Sequence, residues 1–150
     1  MIDTQFLSRD LSVGPQVAPE DVARLRTLGF RSVICNRPDG EAPDQPAFAE
    51  VAVAARAEGM AARHIPVTAP IPEDAVAAFR AAARDLPGPV FALCRTGTRS
   101  ASLWALAEAV ERGPEAVIER AARAGYDLSG LAPLVFEAAA GGFGDEARSA

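Results

Sequence analysis

The chain has 150 residues, 49% of them hydrophobic, which suits one domain, residues 1–150, with a real core. Its net charge of −5 and isoelectric point near 4.9 exclude the basic face that a nucleic-acid or anionic-membrane partner would need. No apolar stretch approaches membrane-spanning length, and Met1–Asp10 lacks the basic start and apolar core of a signal peptide, so a cytoplasmic location is expected.

Residues 5–16 predict one or two short strands closed by Gly14-Pro15. Pro19-Glu20-Asp21 opens a helix to about Gly29, proline fitting the first turn and acids its positive end. Val22, Leu25 and Leu28 form its apolar stripe. Residues 31–37 read as a buried strand, with a turn at Pro38-Asp39-Gly40. A helix follows from about Pro46 to Glu58, stopped by Gly59. Residues 62–67 form a weaker strand whose Pro66 marks an end or an edge. Pro72-Glu73-Asp74 repeats the earlier helix start and opens a helix to about Leu86. After the break at Pro87-Gly88-Pro89 come a strand, Val90–Leu93, and a helix from about Thr98 to Arg112. Leu103, Leu106 and Val110 make that helix's buried face, bordered by Trp104. Helices over 115–124 and 131–140 complete the chain, and 141–150 reads as a frayed tail. Alternating strands and helices predict an α/β fold, a mostly parallel sheet of four to five strands flanked by helices. Ligands of such sheets bind at the carboxyl ends of the strands. That places the 36–41 turn, the 68–73 loop and the segment after Leu93 on one rim.

That last segment, Cys94-Arg95-Thr96-Gly97-Thr98-Arg99-Ser100, carries the chemistry. A strand, a tight loop and a helix start converge backbone N–H groups on one point, and the helix dipole adds positive potential there. A thiol in that field is favoured as thiolate, which makes Cys94 the candidate nucleophile. Arg99 is the candidate clamp, able to hold an oxyanion by two parallel hydrogen bonds. Gly97 supplies a positive φ. Thr98 or Ser100 can cap the helix, and Ser100 can alternatively donate to the thiolate. Arg95 and Thr96 line the loop, Arg95 as a second anion contact or a solvated residue. Arg37 and Asp39 either shape the rim or belong to a plain turn. Cys35 is a core thiol or a resolving cysteine for Cys94. The two cysteines, 59 positions apart, make neither a disulfide framework nor a four-ligand zinc site. His64 is the chain's single histidine and reads as structural. No metal or cofactor is expected.

The Cys94–Ser100 stretch resembles the active loop shared by cysteine-dependent phosphatases and rhodanese sulfurtransferases. The wider order is more specific: Val33–Glu41, Gly59, His64-Ile65-Pro66-Val67, the loop, then Leu103-Trp104-Ala105. Over roughly residues 5–110 this resembles the phosphatase-like domain of the beta-lactamase hydrolase-like proteins. That family is similar in fold to dual-specificity phosphatases and is often named a sulfurtransferase. The resemblance implies a cysteine-dependent phosphatase-like fold, with Cys94 as nucleophile and Arg99 as anion clamp.

Two features separate the possible cargoes. Four residues stand between Cys94 and Arg99, where phosphatases of this fold have five and rhodaneses four. A phosphatase also needs a general acid; by resemblance it falls near Ala69, where there is no carboxyl group. Glu73 and Asp74 are explained as first-turn acids of the next helix. Both features favour sulfane sulfur, carried as a Cys94 persulfide from thiosulfate or glutathione persulfide to a thiol acceptor. A persulfide dioxygenase is the expected partner enzyme. The alternatives are a phosphatase acting through a phosphocysteine, and a non-catalytic anion- or persulfide-binding module.

Overall fold

The structure, a computed structural model, describes residues 2–141. Five strands form one sheet: β1 (Gln5–Phe6), β2 (Leu11–Gly14), β3 (Ser32–Cys35), β4 (Ala61–His64) and β5 (Val90–Leu93), in the order β1-β2-β5-β3-β4. All neighbours are parallel except the β1–β2 hairpin. Six α-helices accompany them: α1 (Val22–Thr27), α2 (Phe48–Ala57), α3 (Glu73–Asp85), α4 (Thr98–Arg112), α5 (Pro114–Arg123) and α6 (Ala132–Ala139). The expected mostly parallel α/β sheet is therefore present, with boundaries shifted by a few residues. The expected tail lies, apart from Gly141, outside the described residues.

Alternation along the central strands sorts the core into two layers. Val90 and Ala92 of β5 join Ile34 of β3 and Val13 of β2 in a cluster with α3, α4, α5 and α6. Phe91 and Leu93 point the other way, joining Val33, Cys35 and Phe30 beneath α1 and α2. Strands buried on both faces read as continuous apolar runs, and Val90-Phe91-Ala92-Leu93 is one. Burying a side chain such as Phe91 or Leu93 contributes about 1.5–3 kcal/mol, so β5 is firmly seated before the Cys94 loop begins.

Two periodicity expectations fail for local reasons. Leu28 is 56% exposed because α1 ends at Thr27 and the chain turns at Gly29, φ +105°. Phe30 takes the core position instead. Val110 is 59% exposed: α4 is buried on nearly all sides from Ser100 to Ala109, so no single stripe describes it, and its last turn leaves the core. Trp104, by contrast, is buried with Leu103 and Leu106. The strand expected over residues 62–67 is shorter, β4 covering Ala61–His64. β4 is an edge strand ending at His64, after which Ile65 N–H and Val67 N–H still donate to Cys35 and Asn36 carbonyls. Pro66 between them has no N–H to give.

The register sets the site. Leu93 lies level with Gly14 on one side and Cys35 on the other, and Cys35 lies level with His64. The chain therefore leaves β2, β3, β4 and β5 at one height, and the loops that follow form a common rim.

Candidate active site

β5 delivers Cys94 to the floor of this rim, where the residue is 1% exposed. Its N–H donates to Gly14 O (3.4 Å), extending the β2–β5 ladder one step past the strand. The loop then reverses at Gly97, φ +101°, and α4 starts at Thr98. This turn aims the Gly97 N–H at the Cys94 Sγ, 3.0 Å away. Gly97 is required twice over: for its positive φ, and because a Cβ would collide with the Tyr126 ring, whose Cζ would lie at 2.9 Å.

Neither Thr98 nor Ser100 caps the helix through its side chain. Thr96 Oγ1 instead accepts a long contact from the Thr98 N–H, at 3.5 Å. Nor does Ser100 donate to the thiolate. It is fully buried, and its hydroxyl donates to Asn36 Oδ1 at 2.8 Å. The reason is that the thiol is already served by the Gly97 amide, whereas Asn36 is wholly buried and needs a donor.

Arg99, the second residue of α4, reaches back over the rim. Its Nη1 and Nη2 donate to Glu41 Oε2 (2.8 Å) and Oε1 (2.9 Å), and Nη1 also donates to Val67 O (2.9 Å). Glu41 accepts a further bond from Arg37 Nε at 3.1 Å. The Arg99 hydrogen bond and then Arg37 hold the Glu41 carboxyl below the usual carboxylate range. In return Glu41, followed by the nearby Cys94, raises Arg99 further above the usual guanidinium range, against partial burial. Arg99 thus stands between a fixed carboxylate and the thiol.

The turn after β3 is held as firmly. Arg37 is 6% exposed, and its carbonyl accepts from His64 Nε2 (2.9 Å) and from the Cys35 thiol (3.6 Å). A carbonyl only accepts, so Nε2 carries the hydrogen in this arrangement. His64 also stacks on Phe48, ring centroids 4.6 Å apart, which agrees with its structural reading. Burial pushes the Cys35 thiol up to about 11. Asp39 turns away from the thiol loop and accepts the Phe48 N–H at 2.9 Å, at the start of α2.

The structure thus brings Cys94, Thr96, Gly97, Arg99, Arg37 and Arg95 to one rim, buries Ser100 beneath it, leaves Thr98 exposed at the start of α4, and puts Asp39 to the side. Sequence reasoning passed over three contributors. Glu41 closes the Pro-Asp-Gly turn, but nothing local in the sequence shows that it meets Arg99, 58 positions away. Asn36 has a clearer signal, an amide directly after an apolar strand. Tyr126, which packs on the loop and whose hydroxyl lies 3.4 Å from Thr96 O, has none.

This geometry can hold an anion and present a thiol sulfur to it. Residues 3–111 match the family model described as the phosphatase-like domain of beta-lactamase hydrolase-like protein. The chain belongs to that family. A beta-lactamase hydrolase-like protein of Agrobacterium fabrum is 40% identical over 106 residues, 70% of this chain but 25% of the relative. The match therefore spans about a quarter of that protein's length. A solved Neisseria meningitidis protein, described as a putative phosphatase, is 33% identical with a TM-score of 0.83, covering 92% of this chain and 99% of that one. The structure called Tk-PTP in the active form, 19% identical over 91% of this chain and 95% of its own, has a TM-score of 0.68 and extends the likeness in fold. The fold is that of the cysteine-based phosphatases. Among the described residues no helix is long and apolar enough to cross a membrane.

Proposed function

We propose that this domain is a cysteine-dependent phosphohydrolase working through a phosphocysteine at Cys94. The observation that carries the reading is the Gly97 N–H set 3.0 Å from the Cys94 sulfur in the loop that opens α4, with the Arg99 guanidinium held on the same rim by Glu41 and Val67 O. In the first step the Cys94 thiolate attacks phosphorus, forming an S–P bond while the P–O bond to the leaving group breaks. Loop amides and Arg99 hold the phosphoryl oxygens as charge builds on them. In the second step water attacks phosphorus, the S–P bond breaks, phosphate leaves and the thiolate returns.

The domain departs from this scheme at the leaving group. The loop from Thr68 to Pro72 carries no carboxyl side chain, and Glu73 and Asp74 belong to the first turn of α3. Glu41, which does stand at the rim, is held ionised by two arginines and has no proton to give at neutral pH. Leaving groups that depart unprotonated are therefore favoured, aryl oxides among the simple esters.

The same absence, with the four-residue spacing from Cys94 to Arg99, supports a second reading. In it Cys94 takes sulfane sulfur from thiosulfate or glutathione persulfide and passes it to a thiol, in partnership with a persulfide dioxygenase. The two readings share a nucleophile and differ in the atom it carries. Incubating reduced protein with an aryl phosphate, and separately with each sulfur donor, followed by acid quench and intact mass, separates them. Phosphate release with a trapped phosphoryl adduct, lost in Cys94→Ser, supports the first. A one-sulfur adduct with no phosphate release overturns it in favour of the second. A sulfur adduct without transfer to an added thiol leaves the domain a persulfide-binding module.

A further inference from the structure

Beside the thiol loop lies a cleft of about 420 Å³ lined by Arg37, Arg95, Arg99, Glu41 and Ala42. Three guanidinium groups face one carboxylate, in a chain whose net charge is −5. Glu41 divides its oxygens between Arg99 and Arg37. Arg95 is exposed, and among the described residues its side chain joins no ion pair. Arg37 is the opposite, a buried arginine fixed by Glu41 and by Gln16 Oε1 at 3.4 Å. The cleft therefore keeps an excess of positive charge on a buried, fixed wall and has an exposed arginine at its mouth. Arg99 belongs to both the cleft and the thiol loop. An anionic group in the cleft would thus lie next to a phosphoryl group on Cys94.

Two independent features now agree. Among the described residues the site has no free acid for the leaving group, and it has a cationic cleft beside the point of attack. From these we infer that the substrate is a phosphoanhydride, its terminal phosphoryl over Cys94 and its second phosphate in the Arg37–Arg95–Arg99 cleft. This rests on the phosphohydrolase reading and names its substrate class. The Cys94 thiolate attacks the terminal phosphorus and the bridging P–O bond breaks. The bond's electron pair leaves on the second phosphate, which departs as a phosphate monoester anion and needs no proton. Water then cleaves the S–P bond, releasing inorganic phosphate and a proton and restoring the thiolate. An alcohol leaving group gains nothing from the cleft and lacks the proton it needs.

The test compares methyl diphosphate, methyl phosphate and an aryl phosphate on the wild-type chain and on Arg95→Gln. For the wild type, kcat/KM for methyl diphosphate should exceed that for methyl phosphate by about a hundredfold or more, the scale of general-acid assistance. In Arg95→Gln the preference for methyl diphosphate over the aryl phosphate should fall about tenfold, as expected on losing a charge-assisted contact. Equal rates on the methyl esters, or an Arg95→Gln variant with the same preference, overturn the inference. If the aryl phosphate traps phosphocysteine while methyl diphosphate is inert, the substrate class falls and the phosphohydrolase reading stands. If neither compound phosphorylates Cys94, both fall.

Discussion

The two cysteines stand at the ends of neighbouring parallel strands, yet their surroundings have opposite polarity. Cys94 has passed the end of β5 and its sulfur meets a backbone N–H, that of Gly97. Cys35 is the last residue of β3 and its sulfur meets a backbone carbonyl, that of Arg37. An N–H favours the thiolate, whereas a carbonyl wants the thiol hydrogen and repels a negative sulfur. Burial among Phe91, Leu93 and Val51 adds to the second effect. One residue's difference in position relative to a strand end thus gives two identical side chains opposite surroundings.

The strongest way to break this comparison is to remove each sulfur in turn. Cys94→Ser should lower turnover by a factor on the order of a thousand or more and abolish the covalent adduct, as expected for a lost nucleophile. Cys35→Ala should still form the adduct. An adduct that disappears in both variants would show that the two positions work together.

A second probe disturbs the turn that makes Cys94 different. Gly97→Ala forces a side chain into φ +101° and against Tyr126, and should cost about 1–3 kcal/mol in chemical denaturation. Adding Tyr126→Ala should recover the part due to the collision and leave the part due to the backbone. Full recovery would mean that the left-handed conformation itself costs nothing.

The pH dependence sharpens the comparison from the other side. The Cys35 thiol is raised from its ordinary 9.0 to about 11 in the folded chain. Between those values the unfolded chain has lost a proton that the folded one still holds. Stability should therefore fall as pH rises from 9 to 11, with a slope of up to about 1.4 kcal/mol per pH unit from this group. Tyr126, raised above its ordinary 10.0 chiefly by burial, adds to the fall above pH 10. Denaturation curves of Cys35→Ala should be flatter between pH 9 and 10, and unchanged slopes would refute the assignment. The same protonated state bears on the resolving role. A disulfide between Cys35 and oxidised Cys94 should form slowly at neutral pH and faster as pH approaches 11. Non-reducing mass analysis after peroxide, with either single Cys→Ser variant as control, reads this out. At neutral pH the smallest effect is expected from Cys35→Ala itself, about 1 kcal/mol for a small buried group.

Much of this arrangement is legible in the chain because it is local. Val90–Leu93, the glycine at 97 and the helix from Thr98 follow one another without a break. Neighbour-to-neighbour chemistry therefore predicts the strand, the turn and the direction of the N–H groups. The rim could be read as well, because parallel strands must leave their loops on the same side. The partners of Arg99 could not. Its fork meets a carboxylate 58 positions earlier, and no periodicity records which of twenty acidic residues that will be. Ser100 shows the same limit in reverse. A hydroxyl at a helix start reads as a cap, until the fold places a buried amide oxygen closer to it. Val110 continues its heptad-like spacing past the point where the neighbours of α4 stop, which only the packing reveals.

Asn36 gives the rim one further property. Its backbone N–H donates to Leu93 O (2.7 Å), its carbonyl accepts from Val67, its amide donates to Ile65 O (2.9 Å), and its Oδ1 receives Ser100. One buried residue is thereby a joint between the ends of β3 and β5, the segment after β4 and the first turn of α4. Such a joint makes the inner rim a single mechanical part, in which no loop can be reshaped alone. Arg95 and Ala42 lie outside it. Adjustment to a different cargo is therefore confined to the outer edge of the cleft, while the frame that holds the sulfur stays the same.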